Sequence, residues 1–361
     1  MYLSTPFFNN YKNIPMLSTL NLTASSDRLF FGESGHGLAR YDIPRYPVFK
    51  KINDRMRSLY WNFEEIDMSQ ERASFNSMTD AEKWVFTENL KRQILLDSLQ
   101  GRSPTLVFSP SCTDSSLENC LTTKQFFESL HSEAYTYIIK AVYPNPSLIY
   151  DSIPGIAQIA KCASSVTSSY DKMMRNPTKE SLYLALITDI SLESLRFFIS
   201  FLCIFSYGQR GKAEGSSKQM KMIARDETQH IGMDSHILKL LPKDDPDFIQ
   251  IIGDLRKEAT DIFDITLQEE LEWLPYIFQH GAIMGVNEAI CIDYLHHLEP
   301  KRKVLAGLPP GRAMRPNPVP WMDNWLSDAN YQPAPQEVEG TAYLTSALQN
   351  DSNDLPMDLE L

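Results

Sequence analysis

The chain has 361 residues, 43% of them hydrophobic and 22% charged, enough for two domains and a large core in a globular protein. Its net charge of -12 argues against a nucleic-acid surface, which needs clustered Lys and Arg. The five cysteines (Cys112, Cys120, Cys162, Cys203, Cys291) are odd in number and lack Cys-x-x-Cys spacing, and residues 1–23 lack the order of a signal peptide, so reduced thiols and a cytoplasmic setting are expected.

Residues 1–40 read as an N-terminal extension. Within it Glu33-Ser-Gly-His36 has the spacing of a ligand pair, but Gly32, Gly35 and Gly37 place it in a loop, and it reads as non-functional. Trp61 is an aromatic after a helix, a position that is more often core than conduit. Thr79-Asp-Ala-Glu82 predicts a capping box, opening a helix that carries Trp84, Leu90, Ile94 and Asp97 and closes near Gly101. A second helix is expected over about residues 123–143, ended by Pro144 and Pro146. Its stripe is Phe127, Glu128, His131, Tyr135, Ile138, Ile139 and Val142. A third covers residues 180–207. Its apolar stretch, residues 182–205, contains Asp189, Glu193 and Arg196; such charges are strongly disfavoured inside a membrane, so a buried, ligand-bearing helix is the better reading. The fourth runs from Ser216 to just before Pro242, with Met220, Ile223, Ala224, Glu227, His230 and Ile231 on one stripe. Residues 247–281 and 287–297 read as further helices, and no convincing strand alternation is present, so the fold class is all-α. Prolines crowd residues 309–320, no Lys or Arg follows Arg315, and residues from about 330 to 361 read as a flexible acidic tail.

Polar residues have entered stripes that ought to be apolar, and they do so in a pattern. Glu128-Ser-Leu-His131 and Glu227-Thr-Gln-His230 each place a carboxylate and an imidazole three residues apart, on one helix face. Asp97 lies 31 residues before Glu128, and Glu193 lies 34 before Glu227. One acid from each of two helices and a Glu-x-x-His from each of two others is how four-helix bundles hold two iron or manganese ions. Charge makes the same point. Four buried carboxylates without compensation would protonate or unfold the bundle, whereas two divalent ions cancel their charge. Oxygen-rich ligation with one imidazole per ion suits iron or manganese better than structural zinc, and such paired ions sit ~3.5–4 Å apart. Tyr135, one turn after His131, should lie close to the ions, with Phe197, Phe201 and Ile223 forming an apolar pocket around it. An ordinary core tyrosine is the plainer alternative. The spacing alone also leaves open a ferritin-like oxidase or desaturase and an iron store without turnover.

Longer runs narrow the choice. They include Gly37-Leu-Ala-Arg-Tyr-Asp42, Tyr60-Trp61, Leu95-Leu-Asp97-Ser-Leu-Gln-Gly-Arg102-Ser-Pro104 and Glu128 to Tyr135. Further on come Leu192-Glu193-Ser-Leu-Arg196-Phe197, Ile223-Ala-Arg-Asp-Glu227-Thr-Gln-His230 and Ala334-Pro-Gln-Glu337-Val-Glu339 before Tyr343. With these the chain resembles the small, radical-generating subunit of class I ribonucleotide reductase, of the tyrosyl-radical, class Ia-like type, over nearly its whole length. The resemblance implies a ferritin-like helical bundle over residues 41–308, and a proline-containing segment and docking tail over residues 309–361. It implies two iron ions per chain, with manganese as the alternative: one held by Asp97, Glu128 and His131, the other by Glu193, Glu227 and His230. Tyr135 matches the radical tyrosine. Trp61 and Asp226 match a pair that, with His131, lies on an electron-transfer route, while Glu337 and Tyr343 match tail residues that pass oxidising equivalents to the large subunit. It further implies a homodimer and a large-subunit partner that reduces ribonucleoside diphosphates. No nucleic-acid or membrane partner is expected. Glu133-Ala134 departs from an Arg-Ser pair common in bacterial relatives, and Glu133 should point away from Tyr135.

Overall fold

A computed structural model describes residues 27–32 and 38–326. Glu33, His36, Glu337 and Tyr343, and with them the tail expectation, lie outside the described residues.

Among the described residues there is no strand, only isolated bridges at Phe30–Cys112 and Ile283–Val286. In chain order the helices are α1 (Pro47–Ser58), α2 (Glu71–Asn76), α3 (Asp80–Gln100), α4 (Ser115–Val142), α5 (Pro146–Ser152), α6 (Ala157–Arg175) and α7 (Lys179–Ser191). They continue as α8 (Phe197–Gly208), α9 (Glu214–Asp244), α10 (Asp247–Asp254), α11 (Arg256–Ile277), α12 (Glu288–Leu305) and α13 (Met322–Leu326). A π-helical turn, Leu192–Arg196, joins α7 to α8, so Lys179–Gly208 is one rod of 30 residues. The rod packs with α3 and α9, and α4 closes against both of those helices. Around this set, α1 packs on α4 and α9, α6 and α11 on α7, and α12 on the π turn.

The rod is long and apolar enough to cross a membrane by composition, yet its apolar window is wholly buried inside the protein. It is the central core helix expected from its three internal charges. π turns carry one extra residue per turn and recur at functional sites. This one is braced from α12, where Arg302 donates Nε to the Ser194 carbonyl at 3.2 Å and lays its guanidinium over the Phe198 ring.

Capping explains where the helices begin. The capping box at Thr79 and Glu82 forms as expected, and α3 ends at Gly101. The second predicted helix begins earlier than residue 123, at Ser115, because Asp114 accepts a hydrogen bond from the Leu117 amide and caps two further turns. Leu117, Cys120 and Leu121 bury that added length. The segment expected as a single helix over residues 247–281 is interrupted at Leu255 and ends at Ile277. Pro144 follows the end of α4 as expected, but two other prolines do not stop their helices. Pro242 sits in the last turn of α9, where one lost amide bond is tolerated, and Pro300 lies buried inside α12, which runs on to Leu305 rather than stopping near residue 297.

Helix α9 has no cap from its own sequence, and its N-cap residue Ala213 is left-handed, with φ 45°. Its cap comes from α2. The buried Glu71 carboxylate accepts from the Gly215 amide at 2.7 Å and the Ser216 hydroxyl at 2.5 Å, while Ser74 Oγ accepts from the Ala213 amide. A carboxylate at this end also suits the helix dipole. At the other end of the chain, Trp325 of α13 stacks on Phe205 at 4.8 Å, so the proline-containing segment lies against the bundle as far as residue 326.

Replacing Glu71 by Ala leaves buried donors without partners, and should cost about 2 kcal/mol of stability. Thr79→Ala, at an accessible cap, should cost about 1 kcal/mol. Thermal unfolding of the metal-free variants checks both, and an unchanged midpoint for Glu71→Ala would remove it as the cap of α9.

Candidate metal centre

The six candidate ligands come from four helical segments. Asp97 lies on α3, Glu128 and His131 on α4, Glu193 in the π turn, and Glu227 and His230 on α9; all six are buried. One ligand atom from each of Asp97, Glu128, His131 and Glu227 lies within 4.8 Å of the others, and the same is true of Glu128, Glu193, Glu227 and His230. Glu128 and Glu227 therefore belong to both groups, the position of bridging carboxylates. Close approach of α3 to α4 depends on Gly101, where a side chain would put its Cβ 3.3 Å from that of Glu128.

The donor set fits a pair of oxygen-ligated divalent ions. Both oxygens of Asp97 and of Glu128, Glu193 Oε2, Glu227 Oε1 and His131 Nδ1 are buried without a hydrogen bond. Buried polar atoms are ordinarily satisfied, so this concentration of orphan oxygens calls for cations. Both imidazoles turn Nδ1 inward. His131 Nδ1 lies 3.3 Å from Glu227 and 3.8 Å from Glu128; His230 Nδ1 lies 3.1 Å from Glu128 and 3.2 Å from Glu227.

An outer layer orients His131. Its Nε2 is 3.2 Å from Asp226 Oδ2, the same oxygen that accepts from Trp61 Nε1 at 2.8 Å. With Nε2 donating to Asp226, the Nδ1 lone pair faces the centre. Arg225 holds the other Asp226 oxygen and also bonds the Leu59 carbonyl. The structure thus brings Trp61, Asp226 and His131 into one hydrogen-bonded chain.

Tyr135 is fully buried and its hydroxyl has no hydrogen-bond partner among the described residues. Burial, followed by the charges of Asp97 and Glu227, holds its pKa well above the ordinary tyrosine value, so the phenol keeps its proton at neutral pH. Phe197, Phe201 and Ile223 are likewise fully buried members of the same apolar core. Glu133 is exposed, pointing away from Tyr135 as expected.

A second set of polar residues escaped the sequence reading. Gln100, Lys124, Tyr170, Asp189 and Asp234 are all buried beside Glu193. Gln100 Nε2 donates to Asp189 at 2.7 Å and to Glu193 at 2.5 Å, and the Tyr170 hydroxyl donates to Asp189 at 2.5 Å. Burial alone would lower the Lys124 pKa, yet the charges of Asp189, Asp234 and Glu193 raise it well above its usual value. The signal was available. Gln100 follows Asp97 by three residues, Lys124 precedes Glu128 by four, Asp189 precedes Glu193 by four, and Asp234 follows His230 by four. Each ligand stripe simply continues by one turn.

Comparison with known proteins places this geometry. Residues 41–310 match the family described as "Ribonucleotide reductase, small chain". The chain is 35% identical over 354 residues to the ribonucleoside-diphosphate reductase subunit beta of Haemophilus influenzae, covering 90% of this chain and 94% of that one. Among solved structures it is similar to the ribonucleotide reductase R2 subunit from Clostridium botulinum, at TM-score 0.80 and 22% identity over 85% of this chain and 96% of that one. It is also similar to the dimanganese(II)-NrdF of Streptococcus sanguinis, at TM-score 0.69 and 19% identity over 80% and 98%. At such identities the structural likenesses bear on the fold.

The electrostatics of the metal-free centre make a prediction. Burial would lower both histidines, but the nearby carboxylates of Asp226 and Glu227 raise His131, and those of Glu128 and Glu227 raise His230 to about 9. Burial would raise Glu227, yet those same imidazoles hold it down at about 2. Metals take imidazole in its neutral form, so binding at pH 7 must expel the imidazole protons, about one from each histidine. Affinity for divalent ions should strengthen as pH rises towards about 9, where His230 gives up its proton unaided, and weaken on acidification. Titration calorimetry in buffers of different ionisation enthalpy measures the release; none at pH 7 would show both imidazoles to be neutral beforehand.

Proposed function

The chain belongs to the ribonucleotide reductase small-chain family, and from that membership we propose a residue-level account of its centre. It acts as the small, radical-generating subunit of a ribonucleoside-diphosphate reductase, whose large-subunit partner reduces ribonucleotides to deoxyribonucleotides. Membership sets aside the oxidase and the iron store that ligand spacing alone left open.

Asp97, Glu128 and His131 would hold one ion and Glu193, Glu227 and His230 the other. The observation that carries this reading is the pair of overlapping ligand groups sharing Glu128 and Glu227. Iron is the proposed metal on the class Ia-like resemblance of the sequence, since the ligand residue types suit iron and manganese alike. When bound, the metal pair supplies one-electron oxidation of a phenol at the expense of O2.

The chain's own residues prepare Tyr135 for that event. Its proton stays on the hydroxyl until an electron is lost, because burial disfavours the phenolate. Phe197, Phe201 and Ile223 keep water away from the oxidised ring. Trp61, Asp226 and His131 offer a hydrogen-bonded route along which electron and proton transfer are coupled. Beyond the described residues, Glu337 and Tyr343 would extend the route to the large subunit. Residues 41–308 form the bundle and residues 309–361 the docking segment; the active unit is a homodimer in the cytoplasm.

Electron paramagnetic resonance tests the centre. Protein loaded with Fe(II) under anaerobic conditions and then exposed to O2 should give a tyrosyl signal, and Tyr135→Phe should bind two irons and give none. A signal persisting in Tyr135→Phe would move the radical elsewhere, and a signal obtained only after loading with Mn(II) would replace iron. For the tail, deletion after Asn330 should leave the bundle folded and abolish large-subunit binding, whereas Tyr343→Phe should bind normally and stop turnover. Unchanged affinity of the truncated chain would end the docking assignment.

A further inference from the structure

Beside the two ligand groups lies a third cluster of acids. One oxygen from each of Asp189, Glu193 and Asp234 lies within 4.8 Å of the others, all buried. By spacing alone it resembles the metal groups, and Glu193 is common to both. What sets it apart is a cation from the chain itself. Lys124 Nζ lies 2.7 Å from Asp189 Oδ2, 2.5 Å from Glu193 Oε1 and 3.4 Å from Asp234 Oδ2.

We propose that Lys124 is a built-in cation: a positioning residue that closes the third carboxylate cluster to metal and fixes Glu193 for the dimetal centre. The inference rests on Glu193 being a metal ligand. An ammonium is a compact point charge with three donors, matched here to three carboxylates. Lys124 and Gln100 Nε2 both engage Glu193 Oε1, while Glu193 Oε2 makes no hydrogen bond. One oxygen is thereby pinned to the outer cluster and the other is left for the ion. Without the lysine, three buried carboxylates would stand within reach of one point with no cation among them, a donor set that hard divalent ions favour. An ion captured there would compete for Glu193.

The geometry also explains why the cation comes from α4. Lys124 precedes Glu128 by one turn, so the helix that carries a shared ligand also carries the charge that limits how many ions collect around it. Gln100, Ser103 and Tyr170 all donate to Asp189 Oδ1, which leaves Oδ2 to Lys124.

Mn(II) binding to the full-length chain, counted by metal analysis after removal of loosely held ions, tests the proposal. Wild type should saturate at two ions per chain. Lys124→Met should rise to three, and Lys124→Met/Asp234→Asn, which removes one of the three acids, should return to two. Lys124→Gln, which keeps a donor without its charge, carries the same expectation of three should the methionine variant not fold. Two or fewer ions in a folded Lys124 variant would overturn the proposal, as would a third buried ion in wild type. A wild type that binds no pair of ions would instead defeat the dimetal reading on which it rests. Low-temperature resonance of bound Mn(II) gives the second readout. Wild type should show a spin-coupled pair, and Lys124→Met should lose part of that coupling as Glu193 is drawn outward; identical spectra would leave Lys124 a purely structural ion pair.

Discussion

Negative charge in a helical core is the constraint to which the rest of this structure answers. Asp97, Glu128, Glu193 and Glu227 meet inside a bundle, with Asp189, Asp226 and Asp234 one layer out. An isolated buried carboxylate is too costly to keep ionised without a partner. Each acid is accordingly matched to something positive or proton-bearing. Arg225 and His131 serve Asp226, Lys124 serves the outer cluster, and the two imidazoles serve Glu227. Asp97 has no such partner, and burial with the charges of Glu227 and Glu128 pushes its carboxyl well above the usual range. Of the inner four only Asp97 has no ion-pair partner among the described residues, and the oxygens of the four that make no hydrogen bond are what the dimetal reading accounts for.

The centre is consequently lopsided. One side is a polar layer of Gln100, Lys124, Asp189 and Asp234 that holds its groups by ion pairs and hydrogen bonds. On the other, Tyr135 has a hydroxyl with no bond at all, and Phe197, Phe201 and Ile223 belong to the same buried core. The polar side fixes geometry, because ionic contacts in a dry interior tolerate little displacement. The apolar side leaves the hydroxyl of Tyr135, the proposed radical residue, without a partner among the described residues. Both properties arise by continuing the same stripes one turn, or two for Phe201, in opposite directions from the ligands.

Much of this was legible in the chain because ligand stripes obey helical spacing. Asp97, Glu128, His131, Glu193, Glu227 and His230 sit on the segments where the periodicity put them, and Thr79 and Glu82 form the box their spacing announced. What escaped was non-local. The start of α4 was missed because its first two turns mix polar and apolar residues and depend on Asp114. Lys124 and Asp234 looked like ordinary helix residues, since nothing local says that two stripes from different helices will face the same point. The π turn at Glu193 has no signature in its own five residues; its brace, Arg302, comes from another helix. Pro242 misled in the other direction, and Pro300 likewise lies inside a helix, because tertiary burial of a helix outweighs the loss of one backbone hydrogen bond.

The cap on α9 bears on the order of assembly. Glu71 and the Gly215 amide it receives are 144 residues apart, so the first turn of a ligand helix is completed by a side chain made long before it. Helix α9 gains its proper start only when α2 has docked against it, a late and long-range event that loop closure makes slow. The helix carrying Glu227 and His230 is thus coupled through its end to the fold of the whole chain. Loosening the Glu71 cap would therefore loosen the start of the helix on which both proposed ligands of α9 sit.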